Sequence, residues 1–351
     1  MEKPHHATRQ SWWSRQSGAR KLFYIAVPIV LIIALAVGLG VGLTRGGRDD
    51  GKEPDTTPSP TPTSPPRNGT TWQPAVNETW QIVLLKPLEL AEDATSIEPD
   101  VSVYDIDLFT NEVGVIETLH RLGKRVICYF SAGSYEDYRP DSGQFQQSDR
   151  GRELDGWPGE YWLNVNSENV RNIMVERMRL ASQKGCDAVD PDNVDGYVRQ
   201  HFQRIIAEAI GLTTAEQSNE NGLGLTQQDA INYVIFLSQE ATRLNMSIGL
   251  KNAGEIIPQV INVTHFSVNE QCVEYNECVT FAAFVEAGKP VFHIEYPSAA
   301  PSVQTNVISN ICSGNGDAEG AEQFSTVLKK MNLDGWVEYC NGETFTTGIV
   351  A

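Results

Sequence analysis

The stretch VSVYDIDLFTNEVGVIETLHRLGKRVICYF, residues 101–130, decides the fold class. It opens on one apolar run, Val101–Ile106, and closes on another, Arg125–Phe130. Between them Glu112–Leu122 has the character of a helix, and Gly123 follows where a left-handed residue would end it. A strand, a helix and a second strand in quick succession are the repeating unit of an α/β protein.

Outward from this unit the pattern recurs. Further strand candidates are Trp80–Leu85, Asp187–Asp190, Ser247–Leu250, His265–Val268, Val291–Tyr296 and Gly335–Tyr339, which brings the total to eight. Further helix candidates are Ser167–Gln183, Gln227–Leu244, Val279–Ala287 and Ala321–Met331. Residues Asn166 to Asn169 offer capping side chains, and Gly185 and Gly288 stand where helices would stop. Eight strands in about 270 residues fit a (β/α)8 TIM-like barrel. The alternative is a doubly wound open sheet, which normally shows a glycine-rich phosphate loop after its first strand. Here Trp80–Leu85 runs into Lys-Pro-Leu-Glu-Leu instead. The polar segment Gly211–Gly224 reads as an inserted surface loop.

Upstream the character changes. Leu22–Leu43 is an uncharged apolar run of roughly 33 Å as a helix, enough to cross a bilayer core. Lys3, Arg9, Arg15, Arg20 and Lys21 precede it and place the N-terminus in the cytoplasm by the positive-inside rule. The run is long for a cleaved signal peptide and lacks an A-x-A-like site. Residues 44–72 hold TTPSPTPTSPP, a Pro/Thr/Ser stalk that cannot build a core. The expected organisation is a 1–21 cytoplasmic tail, a 22–43 signal anchor, a 44–72 extracellular stalk and a 73–351 barrel. That is a single-pass type II protein of the plasma membrane with its barrel on the cell-wall side. Asn68, Asn77, Asn245 and Asn262 head glycosylation sequons.

The first 67 residues hold 9 of the 27 basic and 5 of the 45 acidic side chains, so the remainder carries a net charge of −22. Such a surface disfavours nucleic acid as a partner and favours neutral or cationic ligands. The six cysteines contain no CxxC pair. In an oxidising compartment Cys272 with Cys278 makes a local staple, and Cys312 with Cys340 is the natural second pair. Cys128 and Cys186, each in or beside an apolar strand, read as buried free thiols. No H-E-x-x-H or G-x-S-x-G grouping occurs, so no metal or cofactor and no serine triad is expected.

In a barrel the chemistry sits at the C-terminal strand ends. Read in that way, the chain supplies Asp105 and Asp107, then Asp190, Asp192 and Asp195, then Lys251, Asn252 and Glu255, then Asn269 and Glu270, then Glu295 with Tyr296, and Glu338. Aromatic residues such as Tyr129, Tyr135 and Tyr275 accompany them. Carboxylates bond sugar hydroxyls, rings stack on sugar faces, and two further carboxyls perform acid, base or nucleophilic work on a glycosidic bond. The pattern by itself leaves a non-catalytic barrel open.

The runs VYDIDLF (103–109), VICYFSAGSYEDYRPD (126–141), DAVDPDNVDGY (187–197), GLKNAGEI (249–256), VNEQCVEYNEC (268–278) and GKPVFHIEY (288–296) resemble glycoside hydrolase family 114, the endo-α-1,4-polygalactosaminidases, which include fungal membrane-anchored members. The resemblance implies a (β/α)8 barrel acting on α-1,4-linked galactosamine in partly deacetylated galactosaminogalactan of fungal walls and biofilms. It implies Asp192, the first residue of D-N-V-D, and Glu270, ahead of the Q-C-x-E-Y run, as the catalytic pair. The carboxylate rim Asp105, Asp107, Asp190, Asp195, Glu274 and Glu295, with Tyr129, Lys251 and Tyr296, is then expected to bind a cationic polysaccharide. The working scheme is double displacement, with Asp192 as nucleophile and Glu270 as acid and then base; at larger carboxyl separations an inverting scheme replaces it. For Glu270 to act as an acid its carboxyl must be raised by burial or by nearby carboxylates. The competing expectations are a polysaccharide-binding barrel without chemistry and a hydrolase of another α-linked galactosaminide.

Overall fold

A computed structural model describes residues 71–197 and 221–351. The anchor run Leu22–Leu43, the stalk through residue 70 with Asn68, and residues 211–220 of the inserted loop lie outside the described residues. Among the described residues no helix is long and apolar enough to cross a membrane.

The chain runs β1 (Trp80–Val83), β2 (Val103–Asp107), α1 (Val113–Arg121) and β3 (Arg125–Ser131). A small antiparallel sheet of β4 (Ser134–Glu136), β5 (Arg150–Glu153) and β6 (Glu160–Leu163) follows. Then come α2 (Glu168–Lys184), β7 (Ala188–Asp192), α3 (Gln227–Arg243), β8 (Ser247–Lys251), β9 (Phe266–Glu270), α4 (Cys278–Glu286), β10 (Val291–Glu295), α5 (Thr305–Ile311) and β11 (Ser325–Leu328). The strands β12 (Trp336–Tyr339) and β13 (Thr344–Thr346) close the list. The main sheet has the order β1-β2-β3-β7-β8-β9-β10-β11-β12-β13 and is parallel through β11. It curls until its ends meet: Trp80 Nε1 donates to the Ser325 carbonyl at 2.7 Å, and Lys329 Nζ to Gln81 Oε1 at 3.0 Å. The fold is an α/β TIM-like barrel.

Alternation along the strands decides which side chains fill it. Ile82, Val103, Ile127, Ala188, Phe266, Val268, Phe292, Ile294 and Val327 form one buried cluster inside the curl. Their neighbours of opposite parity, including Tyr104, Ile106, Val126, Cys128, Val189 and Ile248, pack outward against the helices. Local signals end the helices where expected. Ser167 caps α2 by accepting from the Val170 amide, and Thr226 and Asp229 cap α3 reciprocally. Gly123, Gly185 and Gly288 all take positive φ.

Two sequence expectations are corrected. The last parallel strand is Ser325–Leu328, inside the expected helix Ala321–Met331, while Trp336–Tyr339 returns antiparallel beside it. In Ser-Thr-Val-Leu only Thr326 and Val327 favour a strand, too few to override Ala-Glu-Gln and Lys-Lys-Met on sequence alone, and pairing with β10 settles it. Cys128 and Cys186 are not free thiols but a disulfide with Cα atoms 5.9 Å apart. Cys128 faces the helix layer, and β7 pairs with β3, so the turn from α2 into β7 delivers Cys186 to it. The Cys272–Cys278 and Cys312–Cys340 pairs form as expected.

Candidate active site

Three adjacent strands end in ionisable side chains: Asp192 on β7, Lys251 on β8 and Glu270 on β9. The residue after each turns left-handed, with φ of 60° at Asn193, 49° at Asn252 and 63° at Gln271. These turns break the ladder and leave each strand's last side chain at the barrel mouth. Asparagine tolerates this geometry, whereas Gln271 and the left-handed Ala253 cost roughly 1–2 kcal/mol each. Backbone strain collected at one end of a barrel is a mark of a functional site.

The Lys251 ammonium lies 3.3 Å from Asp192 Oδ1 and 3.3 Å from Glu270 Oε2. Those two oxygens are therefore separated by no more than about 6.6 Å, twice that distance. Each carboxylate also receives two further donors. Tyr129 Oη donates to Asp192 Oδ2 at 2.8 Å, and the Asn193 amide to Asp192 Oδ1 at 2.8 Å. Tyr296 Oη donates to Glu270 Oε1, and Asn252 Nδ2 to Glu270 Oε2 at 3.2 Å. Asn252 Oδ1 accepts from the Glu270 amide at 2.9 Å, so one side chain fixes both the backbone and the carboxylate. Lys251 also sits 5.6 Å from the centre of the Tyr129 ring.

The electrostatics follow. Burial pushes the Glu270 carboxyl upward, but the Lys251 charge and the bonds from Tyr296, Asn252 and Lys251 outweigh it and hold it below the ordinary range. Burial pulls the Lys251 ammonium down, while Asp192, Glu270 and Asp190 together hold it well up, so it stays a cation. Burial and the facing carboxylates raise Tyr129 and Tyr296, which stay neutral donors. The resting Glu270 is thus an anion, opposite to the condition expected for an acid.

The structure divides the expected rim. Tyr129, Asp192, Glu270 and Tyr296 are half-buried at the mouth, with Lys251 buried between the two carboxylates. Asp105 and Asp190 are fully buried below it and present no surface to a substrate. Asp107 is locked by Arg139, Nη1 to Oδ2 at 2.5 Å, and Arg139 also grips Glu136. Glu295 has the opposite parity to Ile294 and points to the helix layer, where it accepts from the Val273 amide at 2.8 Å and lies 2.9 Å from His293 Nε2. Asp195 is half-buried, and Glu274 is exposed and bonded by Gln271 at 2.7 Å. The sequon asparagines Asn77, Asn245 and Asn262 are exposed, while Ser247 and Thr264 of the last two sequons are buried.

Sequence reasoning missed the wall beside Asp192. Strand β4 pairs with β6, setting Glu136 directly opposite Glu160. Ser134 Oγ bonds Glu160 Oε2 at 3.2 Å and Asn193 Nδ2 at 3.1 Å, which ties this wall to the turn after Asp192. That contact needs Gly133, because a Cβ there would lie 1.6 Å from the Asn193 carbonyl oxygen. Burial, and then the facing Glu136, push the Glu160 carboxyl up to about 7. Nothing local in Gly-Glu-Tyr-Trp signals that role. Among the described residues one group, Cys272, Cys278 and His293, brings ligand atoms close enough for a metal ion. Both sulfurs are spent in the disulfide, which leaves no thiolate to coordinate.

Two carboxylates held close together at the mouth of a parallel barrel can do the acid, base or nucleophilic work of glycosidic hydrolysis. The sequence comparisons agree. The family model of glycoside-hydrolase family GH114 matches residues 61–345. The crystal structure of Aspergillus fumigatus Ega3 in complex with galactosamine is 50% identical, covering 78% of this chain and 99% of that one, with a TM-score of 0.66. The glycoside hydrolase domain of PelA from Pseudomonas aeruginosa shares the fold at 11% identity, covering 73% of this chain and 95% of that one, with a TM-score of 0.54. None of the curated proteins matches the sequence. The chain belongs to glycoside-hydrolase family GH114 and is a glycoside hydrolase.

Proposed function

We propose that the enzyme is an endo-acting hydrolase of α-1,4-linked galactosamine in partly deacetylated galactosaminogalactan, with Asp192 and Glu270 as its reacting pair. Family membership and the half-identical Ega3, crystallised with galactosamine, support the substrate class. The observation that carries the chemistry is the shared Lys251 ammonium, which keeps the two carboxylates within about 6.6 Å. Retaining glycosidases hold their carboxyls about 5–5.5 Å apart, and inverting ones about 6.5–9.5 Å. One oxygen of each lies within about 6.6 Å of the other, which admits both arrangements, and double displacement is our working scheme.

In that scheme the Asp192 carboxylate attacks the anomeric carbon as the glycosidic C–O bond breaks, and the leaving oxygen takes a proton from Glu270. The Glu270 carboxylate then takes a proton from water, whose oxygen displaces Asp192. Glu270 is held below the ordinary carboxyl range, so it must gain a proton as the substrate enters. A sugar ring that covers the mouth removes solvent from this carboxyl and works in that direction. The resting anion also favours a second reading, in which Glu270 is the nucleophile and Asp192 the acid. Mass spectrometry of a trapped glycosyl-peptide separates the two by the residue that carries the sugar.

The substrate test is reducing-end release. Deacetylated galactosamine oligomers are expected to be cut, fully acetylated ones more slowly, and acidic polysaccharides not at all. Preferential cleavage of the acetylated oligomer would overturn the substrate assignment. The Leu22–Leu43 run remains our proposal for a type II plasma-membrane anchor, with residues 44–72 as stalk and the barrel outside. Three disulfides and three exposed sequon asparagines support a secretory route with glycosylation at Asn77, Asn245 and Asn262, and Asn68 in the stalk. Recovery of the full chain in a carbonate-washed membrane fraction is the expected outcome, and recovery in the soluble fraction would contradict the anchor.

A further inference from the structure

The turn from Ser131 to Ser134, which carries β3 into β4, is buried at all four residues and takes hydrogen bonds from both sides. On its outer side three different elements hold its carbonyls. Arg177 Nη1 on α2 donates to Ser131 at 2.6 Å, Tyr233 Oη on α3 to Ala132 at 2.7 Å, and the Leu163 amide on β6 to Gly133 at 2.9 Å. Arg177 is itself 1% exposed and forks onto Asp141, with Nε and Nη2 each 2.8 Å from a carboxylate oxygen. A buried ion pair of this kind gives little net stability, and here it fixes the place of one carbonyl. On its inner side the turn grips the end of β7. The amides of Ala132 and Gly133 both donate to the Asp192 carbonyl, at 2.8 and 3.0 Å, and fill its two lone pairs.

The side chains close a second set of bonds, and a count of hydrogens fixes their direction. Asn193 Nδ2 gives one hydrogen to Ser131 Oγ at 3.2 Å and the other to Ser134 Oγ at 3.1 Å. Ser134 Oγ spends its only hydrogen on Glu160 Oε2 at 3.2 Å. The 2.5 Å bond between the two hydroxyls must then run from Ser131 to Ser134. Ser131 Oγ accepts the Ser134 amide as well, at 3.2 Å. Each hydroxyl thus donates once and accepts twice, with nothing left over. A buried network filled in this way has one arrangement, and it holds the Asn193 side chain in one rotamer. The left-handed backbone of Asn193 is held with it, and so is its amide, which sits 2.8 Å from Asp192 Oδ1.

We infer that Ser131, Ser134 and Asn193 are positioning residues that aim the Asp192 carboxylate through the Asn193 amide, a role that rests on Asp192 being one of the reacting pair. The turn fixes the Asp192 main chain from one side, the network fixes the amide on Oδ1, and Tyr129 fixes Oδ2. A displacement of about 1 Å at a reacting atom costs up to a hundredfold in rate, so the chemical step is where a loosened frame shows. A turn that served folding alone would lower the melting temperature and leave kcat intact in the protein that still folds.

The test uses the full chain with Asn193→Gly, Ser134→Ala and the double variant. Glycine keeps the left-handed backbone and the amide, and deletes only the side chain that anchors them. Each single variant should lower kcat on deacetylated galactosamine oligomers about tenfold or more, with KM within about twofold of wild type. The double variant should be no worse than the poorer single one, because both cut the same connection. A kcat unchanged in either folded single variant overturns the proposal, and so do single losses that multiply in the double. Should Ser134→Ala fail to fold, Asn193→Gly decides by the same split of kcat from KM. A second readout needs no activity. Glu160, held up to about 7 by burial, by Glu136 opposite and by Asp192, is drawn down by the Ser134 hydroxyl and by Arg139. Its carbon-13 midpoint should rise by about half a unit or more in Ser134→Ala, and an unmoved midpoint overturns the network. A wild-type protein that cleaves no galactosaminide overturns the hydrolase reading and the aiming of Asp192 with it, while a shifted Glu160 leaves the network standing.

Discussion

Replacing Lys251 with methionine removes the charge that both reacting carboxylates share while keeping much of the side-chain volume. The Coulomb attraction of one oxygen to an ammonium 3.3 Å away is about 5 kcal/mol at an effective dielectric constant of 20. The Glu270 side chain is 24% exposed at the mouth, so solvent screening and relaxation reduce this to roughly 1.5–3 kcal/mol. That corresponds to about 1–2 pKa units. The Glu270 carboxyl, now held below its ordinary range, should rise above it once the facing Asp192 has no cation to neutralise it. Stability should change sign with it. In the wild-type protein a depressed Glu270 contributes stability that is present above the unfolded pKa, about 4.3, and lost as pH falls through the folded value. In Lys251→Met the raised carboxyl instead loses stability as pH rises from about 4.3 through its new value. Carbon-13 titration of the glutamate side chains, with Glu270→Gln for assignment, reads the shift directly. A Glu270 midpoint within about 0.3 units of wild type would refute the view that Lys251 controls this carboxylate.

Three further outcomes follow from single contacts. Tyr296→Phe deletes the hydroxyl that bonds Glu270 Oε1 and should lower kcat/KM about tenfold, roughly 1.4 kcal/mol, with little change in melting temperature; an unchanged rate contradicts the contact. Replacing Cys128 and Cys186 together by alanine opens a closure of 58 residues and should cost about 4 kcal/mol in denaturant unfolding, and a loss under about 1 kcal/mol would contradict it. Glu160→Gln should gain about 1 kcal/mol at pH 8, after allowance for solvent, and nothing at pH 4. The sign follows from a folded carboxyl raised to about 7, which loses stability as pH rises from about 4.3 to that value; a variant that is less stable at pH 8 contradicts this.

The barrel was legible where apolar runs were long and flanked by glycine or capping residues, as in 101–130 and around Ser167 and Gly185. It was illegible at β11, where only Thr326 and Val327 favour a strand among helix-favouring neighbours and the growing sheet edge decides. Strand parity held information that reading strand ends alone overlooked. Glu270 shares the inward parity of Phe266 and Val268, whereas Glu295 is out of phase with Phe292 and Ile294 and belongs to the helix layer. Parity also sends Asp105 and Asp190 inward, but depth below the mouth depends on strand register, which no single strand carries. Lys251 was recognised as a site residue; its place between two carboxylates needed three strands laid side by side. The Cys128–Cys186 bond likewise joins positions that only the β3–β7 pairing brings together.

The most direct test is the rate of reducing-end release from deacetylated galactosamine oligomers by Asp192→Asn, Glu270→Gln and the double variant. If the two carboxylates act as a unit on one bond, each single change should lower kcat by about a thousandfold or more, and the double variant should be scarcely worse. Near-normal turnover by either single variant, with the fold intact by circular dichroism, would contradict the assignment.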